Sequence, residues 1–277
     1  MYNRQNIKNI QAYVICLDRK RKERCDINVP KIKEMFPKTT WVNAVDGNEI
    51  DYLNDDRISV FAKYNVKNNY KIDHSFMNHQ NQLACALSHI KAWEKIKNSG
   101  VPGIVFEDDI ILDDTLKDKV TNIITKIPKN IDFASILYSG NDNTQKYNDD
   151  WFKIINKSFW GLQMYFLTPV GASKLLQNAY PIEIHIDRFI GYLASINPEF
   201  KAICYKEQHK IFLLEEFLGS TLNHSLSFKS ELPDSNTFYL IVIVTTIIVI
   251  VGIILLIVFL NKDHQKCKIK LKKCKKK

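Results

Sequence analysis

Between residues 12 and 18 the chain reads "AYVICLD", an apolar run closed by Asp18 and followed by the basic stretch "RKRKER". Such a run predicts a buried first strand leading into a polar loop or helix start. "TWVNAVDG" at residues 40–47 repeats the pattern, with Asp46 and Gly47 supplying the turn. Residues 48–80 are polar and rich in Asn, Asp and Lys, and predict no regular element, only an excursion over the surface. Leu83, Leu87, Ile90, Trp93 and Ile96 then follow at spacings of four, three, three and three, with Gly100 just beyond. This is the pattern of an amphipathic helix with a glycine stop. Pro102 and Gly103 turn the chain into a strand at "IVF", and a charged helical segment follows near residues 114–126. A strand at "DFASILY", a polar loop over 139–150, a strand near "QMYFLT" and helical spacing through Val170, Leu175, Leu176 and Ala179 complete the series. Alternating strands and helices predict an α/β domain with a mainly parallel sheet, whose ligand crevice lies beyond the carboxyl ends of the strands.

The "IVF" strand runs into three consecutive acids, Glu107, Asp108 and Asp109. Acids at a strand end are either a solvated turn or a cation site. The α/β architecture favours the cation site, because this is where such sheets bind ligands and because three adjacent carboxylates repel one another unless compensated. Oxygen ligands suit Mg²⁺ or Mn²⁺, which commonly bridge carboxylates to a substrate's phosphates. Strand side chains alternate in direction, so Glu107 and Asp109 can converge while Asp108 points away.

The end of the chain has a different composition. Residues 238–260 carry no charge, with Thr245 and Thr246 as the clearly polar side chains, which predicts a transmembrane helix in contact with the lipid bilayer. Residues 219–237 read as a linker between it and a domain over 1–218, and residues 261–277 as a Lys-rich tail. That tail holds nine Lys and one Asp, so +8 of the net +9 lies there and about +1 remains for everything else. The domain thus has no clustered basic footprint for nucleic acid, while the tail suits anionic lipid headgroups.

Orientation is pulled two ways. The first twenty residues contain no apolar signal-peptide core, which favours a tail anchor with the domain in the cytosol, whereas the positive-inside rule places the Lys-rich tail there instead. Six cysteines show no metal-ligand or redox spacing, so the default is four free thiols in the domain, with Cys16 and Cys85 buried as small hydrophobes. The abundance of Ile, Lys and Asn fits an AT-rich genome, as of a large DNA virus or a parasite, and with it a viral or host endomembrane setting.

Four segments, in order, resemble glycosyltransferase family 25, which includes lipopolysaccharide β-galactosyltransferases and procollagen galactosyltransferases. "YVICLDRKRKER" is similar to the family's opening strand and basic segment, and "WVNAVDG" to its Ala-Val-Asp-Gly turn. "LACALSHIKAWEKI" is similar to its Cys-x-x-Ser-His helix, and "GIVFEDD" to its Glu-Asp-Asp signature. "WGLQMYFLTPVGASKLL" and "PIEIHIDRFI" extend the likeness, so that it covers residues 11–195. The resemblance implies an inverting transferase with a GT-A-type, Rossmann-like sheet that uses UDP-galactose or a related UDP-sugar donor with Mn²⁺ or Mg²⁺. The acceptor would be a glycan, a lipid-linked sugar or a protein hydroxyl.

On that reading Glu107 and Asp109 are the metal ligands and Asp187 is the catalytic base, with Glu183 and His185 as neighbouring substitutes. Arg19, Arg24, Asp46, Gly47, Ser88, His89 and Asp108 are candidates for holding the donor nucleotide. Trp160 and Tyr165 are either the floor of an acceptor site or core. One departure stands out. The family's helix commonly begins Gly-Glu-Ile-Gly-Cys, where this chain has Asn81, Gln82, Leu83, Ala84 and Cys85. Gln82 cannot ionise, which leaves open an inactive, membrane-anchored interaction or display protein that keeps the fold.

Overall fold

The computed structural model describes residues 10–110, 114–142, 145–156 and 158–207, together with Ile7. Residues 219–277, expected to form the linker, membrane span and tail, lie outside them. Among the described residues no helix is long and apolar enough to cross a membrane.

In chain order the elements are β1 (Gln11–Cys16), α1 (Cys25–Met35), β2 (Thr39–Asn43), α2 (Val60–Lys67), α3 (Gln80–Ser99) and β3 (Gly103–Glu107). Then come α4 (Asp114–Thr125), β4 (Phe133–Leu137), β5 (Gly140–Asn141), β6 (Trp151–Lys153), β7 (Phe159–Trp160) and β8 (Met164–Leu167). The series closes with α5 (Pro169–Asn178), α6 (Ile186–Ile196) and β9 (Ala202–Tyr205). One seven-stranded sheet has the order β2-β1-β3-β8-β4-β9-β6, and β5 and β7 form a separate antiparallel pair. β8 and β6 run against their neighbours, while the other five strands of the sheet are parallel to one another, so the sheet is mixed and mainly parallel.

Alternation along the central strands builds two cores. Tyr13 and Ile15 of β1, Val105 of β3 and Tyr165 of β8 face helices α3, α5 and α6. Ala12, Val14, Ile104, Phe106 and Phe166 face α1 and α4 on the other side. Strands covered on both faces read as continuous apolar runs, which is why "AYVIC" and "IVF" were legible as strands. The helix ends follow local chemistry: Ser59 accepts from the Ala62 N–H, Thr168 accepts from the Gly171 N–H ahead of Pro169, and Gly100 takes φ +67° to stop α3.

Three expectations need correction. Residues 48–80 contain α2, whose Val60 and Tyr64 are exposed while Asn65 is buried, so no apolar face marked it. The cysteines of the domain are not all free: Cys16 at the end of β1 and Cys25 at the start of α1 form a disulfide, leaving Cys85 and Cys204 as the free thiols among the described residues. Cys16 is buried as expected, but Cys85 is only half-buried and lines a cleft.

Candidate functional site

Parallel pairing brings the carboxyl ends of β2, β1 and β3 to one edge of the sheet, with Cys16 beside Asn43 and Ile15 beside Glu107. The chain leaves these ends as the basic segment after β1, the Ala44–Val45–Asp46–Gly47 turn after β2 and the three acids after β3. Helix α3 packs across them. Between these elements lies an open cleft, which Arg19, Gly47, Cys85, His89, Glu107 and Asp109 help to line.

The three acids part company. Asp108 turns into the protein, where its carboxylate accepts the Leu17 N–H at 3.0 Å and meets the buried Arg24 guanidinium at 3.3 Å. Its carbonyl accepts from the Asn28 side chain at 2.9 Å. Burial pushes the Asp108 carboxyl up, and the Leu17 N–H and Arg24 oppose that shift. Asp108 and Arg24, both candidates for nucleotide binding, are thus joined in a clamp that ties the ends of β1 and β3 to α1. Both still border the cleft.

Glu107 instead faces α3, with Oε1 3.0 Å from His89 Nε2. His89 Nδ1 lies 3.1 Å from the Tyr165 hydroxyl, which also receives the Trp93 Nε1–H at 2.9 Å. An indole nitrogen can only donate, and burial drives the Tyr165 hydroxyl far above its ordinary range, so it keeps its proton. The arrangement that satisfies every group has Tyr165 donating to Nδ1 and His89 donating from Nε2 to Glu107. Burial lowers the His89 pKa to about 4, with Asp187 acting in the opposite sense, so the imidazole is neutral at neutral pH. Tyr165 is therefore core and hydrogen-bond support, not the floor of an acceptor site.

The other candidates hold the turn in place. Ser88 donates to the Ala84 carbonyl and accepts the Val45 N–H at 2.8 Å, fixing the turn after β2 against α3. Arg19 Nε reaches Asp46 at 2.6 Å, and Asp46 also accepts the Asn48 N–H. Gly47 lies so close to Asn81 that a Cβ there would stand 2.0 Å from the Asn81 amide oxygen, so no larger residue fits without displacing Asn81.

Asp187, in the first turn of α6, accepts the Gly161 N–H at 2.8 Å and the Arg188 N–H at 2.7 Å. Gly161 has φ +89°, a backbone state open to glycine and strained for other residues. The Arg188 guanidinium lies 5.0 Å from the centre of the Trp160 ring. Glu183 is exposed, and the His185 N–H is held by the Ser75 carbonyl. Asp187 acts electrostatically on His89, and together with Glu107 and Asp109 it adds to the burial that holds the Cys85 thiol well above its ordinary range. Three carboxylates from β3, the segment after it and α6 therefore act on one spot. Glu107 and Asp109 both line the cleft, and their carboxylates are the oxygen donors that a divalent cation there would use.

The family profile of glycosyltransferase family 25 (LPS biosynthesis protein) matches residues 9–190. This chain belongs to glycosyltransferase family 25. No curated protein matches it. The match to family 25 spans β1, the turn after β2, α3, the acids after β3 and the start of α6, and so covers every segment of the site described above.

The structure also bears on where the chain departs from the family pattern. Gln82 Oε1 accepts the N–H groups of Asn78 and His79, and the His79 ring in turn accepts the Asn81 N–H, closing a capping box at the start of α3. Glutamate and glutamine serve equally at that position, because the box uses an acceptor oxygen and not a charge. Two of the cleft's side chains able to ligate or hydrogen-bond were not among the candidates, Cys85 and Asn81. Cys85 stands four positions before His89, a spacing that puts both on one side of a helix and was readable in the sequence.

Proposed function

We propose that this chain is a membrane-anchored, metal-dependent inverting glycosyltransferase with a GT-A-type domain. It would move a hexose, galactose first among the choices, from a UDP-sugar to a hydroxyl of a glycan, a lipid-linked sugar or a protein. The observation that carries this reading is the family 25 match over residues 9–190 together with the cleft that Glu107 and Asp109 line at the carboxyl ends of β1, β2 and β3.

Inverting transfer needs a base for the acceptor hydroxyl and charge compensation for the departing diphosphate. Asp187 suits the first task. Its two backbone partners fix the carboxylate, and each oxygen keeps a further lone pair to receive a proton. As that proton moves to Asp187, the acceptor oxygen bonds to the anomeric carbon and the bond from that carbon to the diphosphate oxygen breaks on the opposite face. A divalent cation at Glu107 and Asp109 would supply charge neutralisation for the leaving diphosphate. Arg19, half-exposed at the cleft, adds positive charge beside the same space.

The anchor rests on the apolar stretch 238–260. The Cys16–Cys25 disulfide supports a domain that matures in an oxidising compartment, with the Lys-rich tail on the cytosolic side, in line with the positive-inside rule.

The test is UDP release by the full chain in detergent micelles, given UDP-galactose or UDP-glucose with Mn²⁺, beside Asp109→Ala and Asp187→Asn. Metal-dependent release that is lost in Asp109→Ala supports the reading. The absence of both turnover and metal-dependent UDP binding by calorimetry overturns it in favour of an inactive interaction protein. The Asn81 amide, packed over Gly47 where the family commonly has glycine, is the feature that favours that second reading.

A further inference from the structure

The side chains of Cys85, His89 and Glu107 present a sulfur, a nitrogen and an oxygen that all lie within 4.8 Å of one another. Cys85 and His89 sit four residues apart on α3, so one turn of helix stacks them on the same side, and Glu107 meets them from the end of β3. All three line the cleft. This donor set differs in kind from the oxygen pair Glu107 and Asp109. Mn²⁺ and Mg²⁺ select oxygen ligands, whereas a thiolate beside an imidazole selects Zn²⁺.

We propose that Cys85, His89 and Glu107 form a Zn²⁺ site, with three protein ligands and a fourth position open to the cleft. Zinc sites with three protein ligands keep the fourth position for water or substrate. The support behind the ligands is already in place. His89 Nδ1 is 3.1 Å from the Tyr165 hydroxyl, itself fixed by Trp93 at 2.9 Å. On binding, Nε2 gives its lone pair to the metal and the ring proton resides on Nδ1. Tyr165, whose oxygen keeps one lone pair beside the one that Trp93 uses, accepts a hydrogen bond from that N–H once its own hydroxyl proton turns away. The Cys85 thiol proton leaves to solvent, so binding strengthens as pH rises. Because Glu107 belongs to both donor sets, Zn²⁺ at this site competes with the ion proposed for the donor diphosphate. The zinc site itself does not depend on the transferase reading.

The test uses the full chain in detergent micelles, stripped with a chelator, in a Cys267→Ser/Cys274→Ser background that removes the tail thiols. Co²⁺ serves as the spectroscopic probe and Zn²⁺ as its competitor. The expected result is one Co²⁺ per chain with a near-ultraviolet thiolate-to-cobalt absorption band, bleached by one equivalent of Zn²⁺. Cys85→Ser abolishes the band and weakens Zn²⁺ binding at least about 100-fold, and Tyr165→Phe weakens it about 10- to 100-fold. A second readout needs no variant. Zn²⁺ slows alkylation of Cys85 by iodoacetamide in the unsubstituted chain, measured by peptide mass spectrometry, and leaves the buried Cys204 unaffected. No uptake of Zn²⁺ at micromolar concentration, a cobalt complex without the thiolate band, or alkylation of Cys85 at the same rate with and without Zn²⁺ would each overturn the proposal. Calorimetry of UDP with Mn²⁺ on Cys85→Ser keeps the two readings apart, since loss of the zinc site leaves that binding to be measured on its own.

Discussion

His89 Nε2 and Glu107 Oε1 face each other at 3.0 Å, and the polarity of the Trp93, Tyr165 and His89 chain assigns the proton between them to the imidazole. The site thus holds a neutral histidine that donates to a carboxylate.

That neutrality sets a pH dependence of stability in the metal-free protein. Folded His89 takes up its proton near pH 4, against 6.5 for an ordinary imidazole. Between those values the unfolded chain binds a proton that the folded chain refuses. The stability contribution is therefore complete above pH 6.5 and is lost as pH falls towards 4. Between pH 7 and pH 5 the loss is about 2 kcal/mol. Urea unfolding at the two pH values should show the stability gap between wild type and His89→Gln narrowing by that amount. Parallel pH slopes would contradict the assignment.

Adjacent acids after β3 should fail in different ways. Asp108→Asn removes the carboxylate charge that the buried Arg24 meets at 3.3 Å and should cost about 3 kcal/mol of stability by chemical denaturation. Asp109→Asn should change the melting temperature little while removing metal-dependent UDP release. The reverse pattern would undo the division of labour described for these residues.

If Asp187 is the base, Asp187→Asn should lower kcat about 100- to 10,000-fold with binding of UDP and Mn²⁺ retained. Weakened UDP binding with unchanged kcat would move Asp187 out of the chemical step.

Gln82 offers a sharper test of the family departure. Gln82→Glu preserves the capping oxygen and should leave the melting temperature and any donor turnover unchanged, while Gln82→Ala should lose about 1 kcal/mol. A large gain of turnover in Gln82→Glu would show that the family's acid acts in the reaction.

The Cys16–Cys25 link should appear in non-reducing peptide maps. Replacing both cysteines with serine should lower stability by about 3 kcal/mol, the effect of a short closed loop on the unfolded chain.

Much of this was legible in the sequence because several signals were local. The apolar runs of β1 and β3 and the periodic face of α3 named their elements, and the strand-end acids marked the sheet edge where the cleft lies. Helix α1 was harder to see, since Pro30 lies in its interior and proline there costs about 3 kcal/mol relative to alanine. Helix α2 turns Val60 and Tyr64 outward, so periodicity had nothing to register. Strand β9, four residues ending in a charged segment, was too short to stand out. The relationships that give candidate residues their roles were not local. Neither the pairing of Asp108 with Arg24 nor the electrostatic coupling of Asp187 to His89 has a spacing that a sequence pattern can show. Nor does the disulfide, whose partners carry no motif.

The disulfide also bears on how the cleft is used. It closes residues 16–25 into a small ring that carries Arg19 and Arg24, so this segment is held in shape before any ligand arrives. A loop that is already ordered loses little freedom on binding, and preorganisation of this kind appears as affinity. Opening the ring with a reductant should therefore raise the concentration of donor needed to saturate the protein while leaving turnover at saturation nearly untouched.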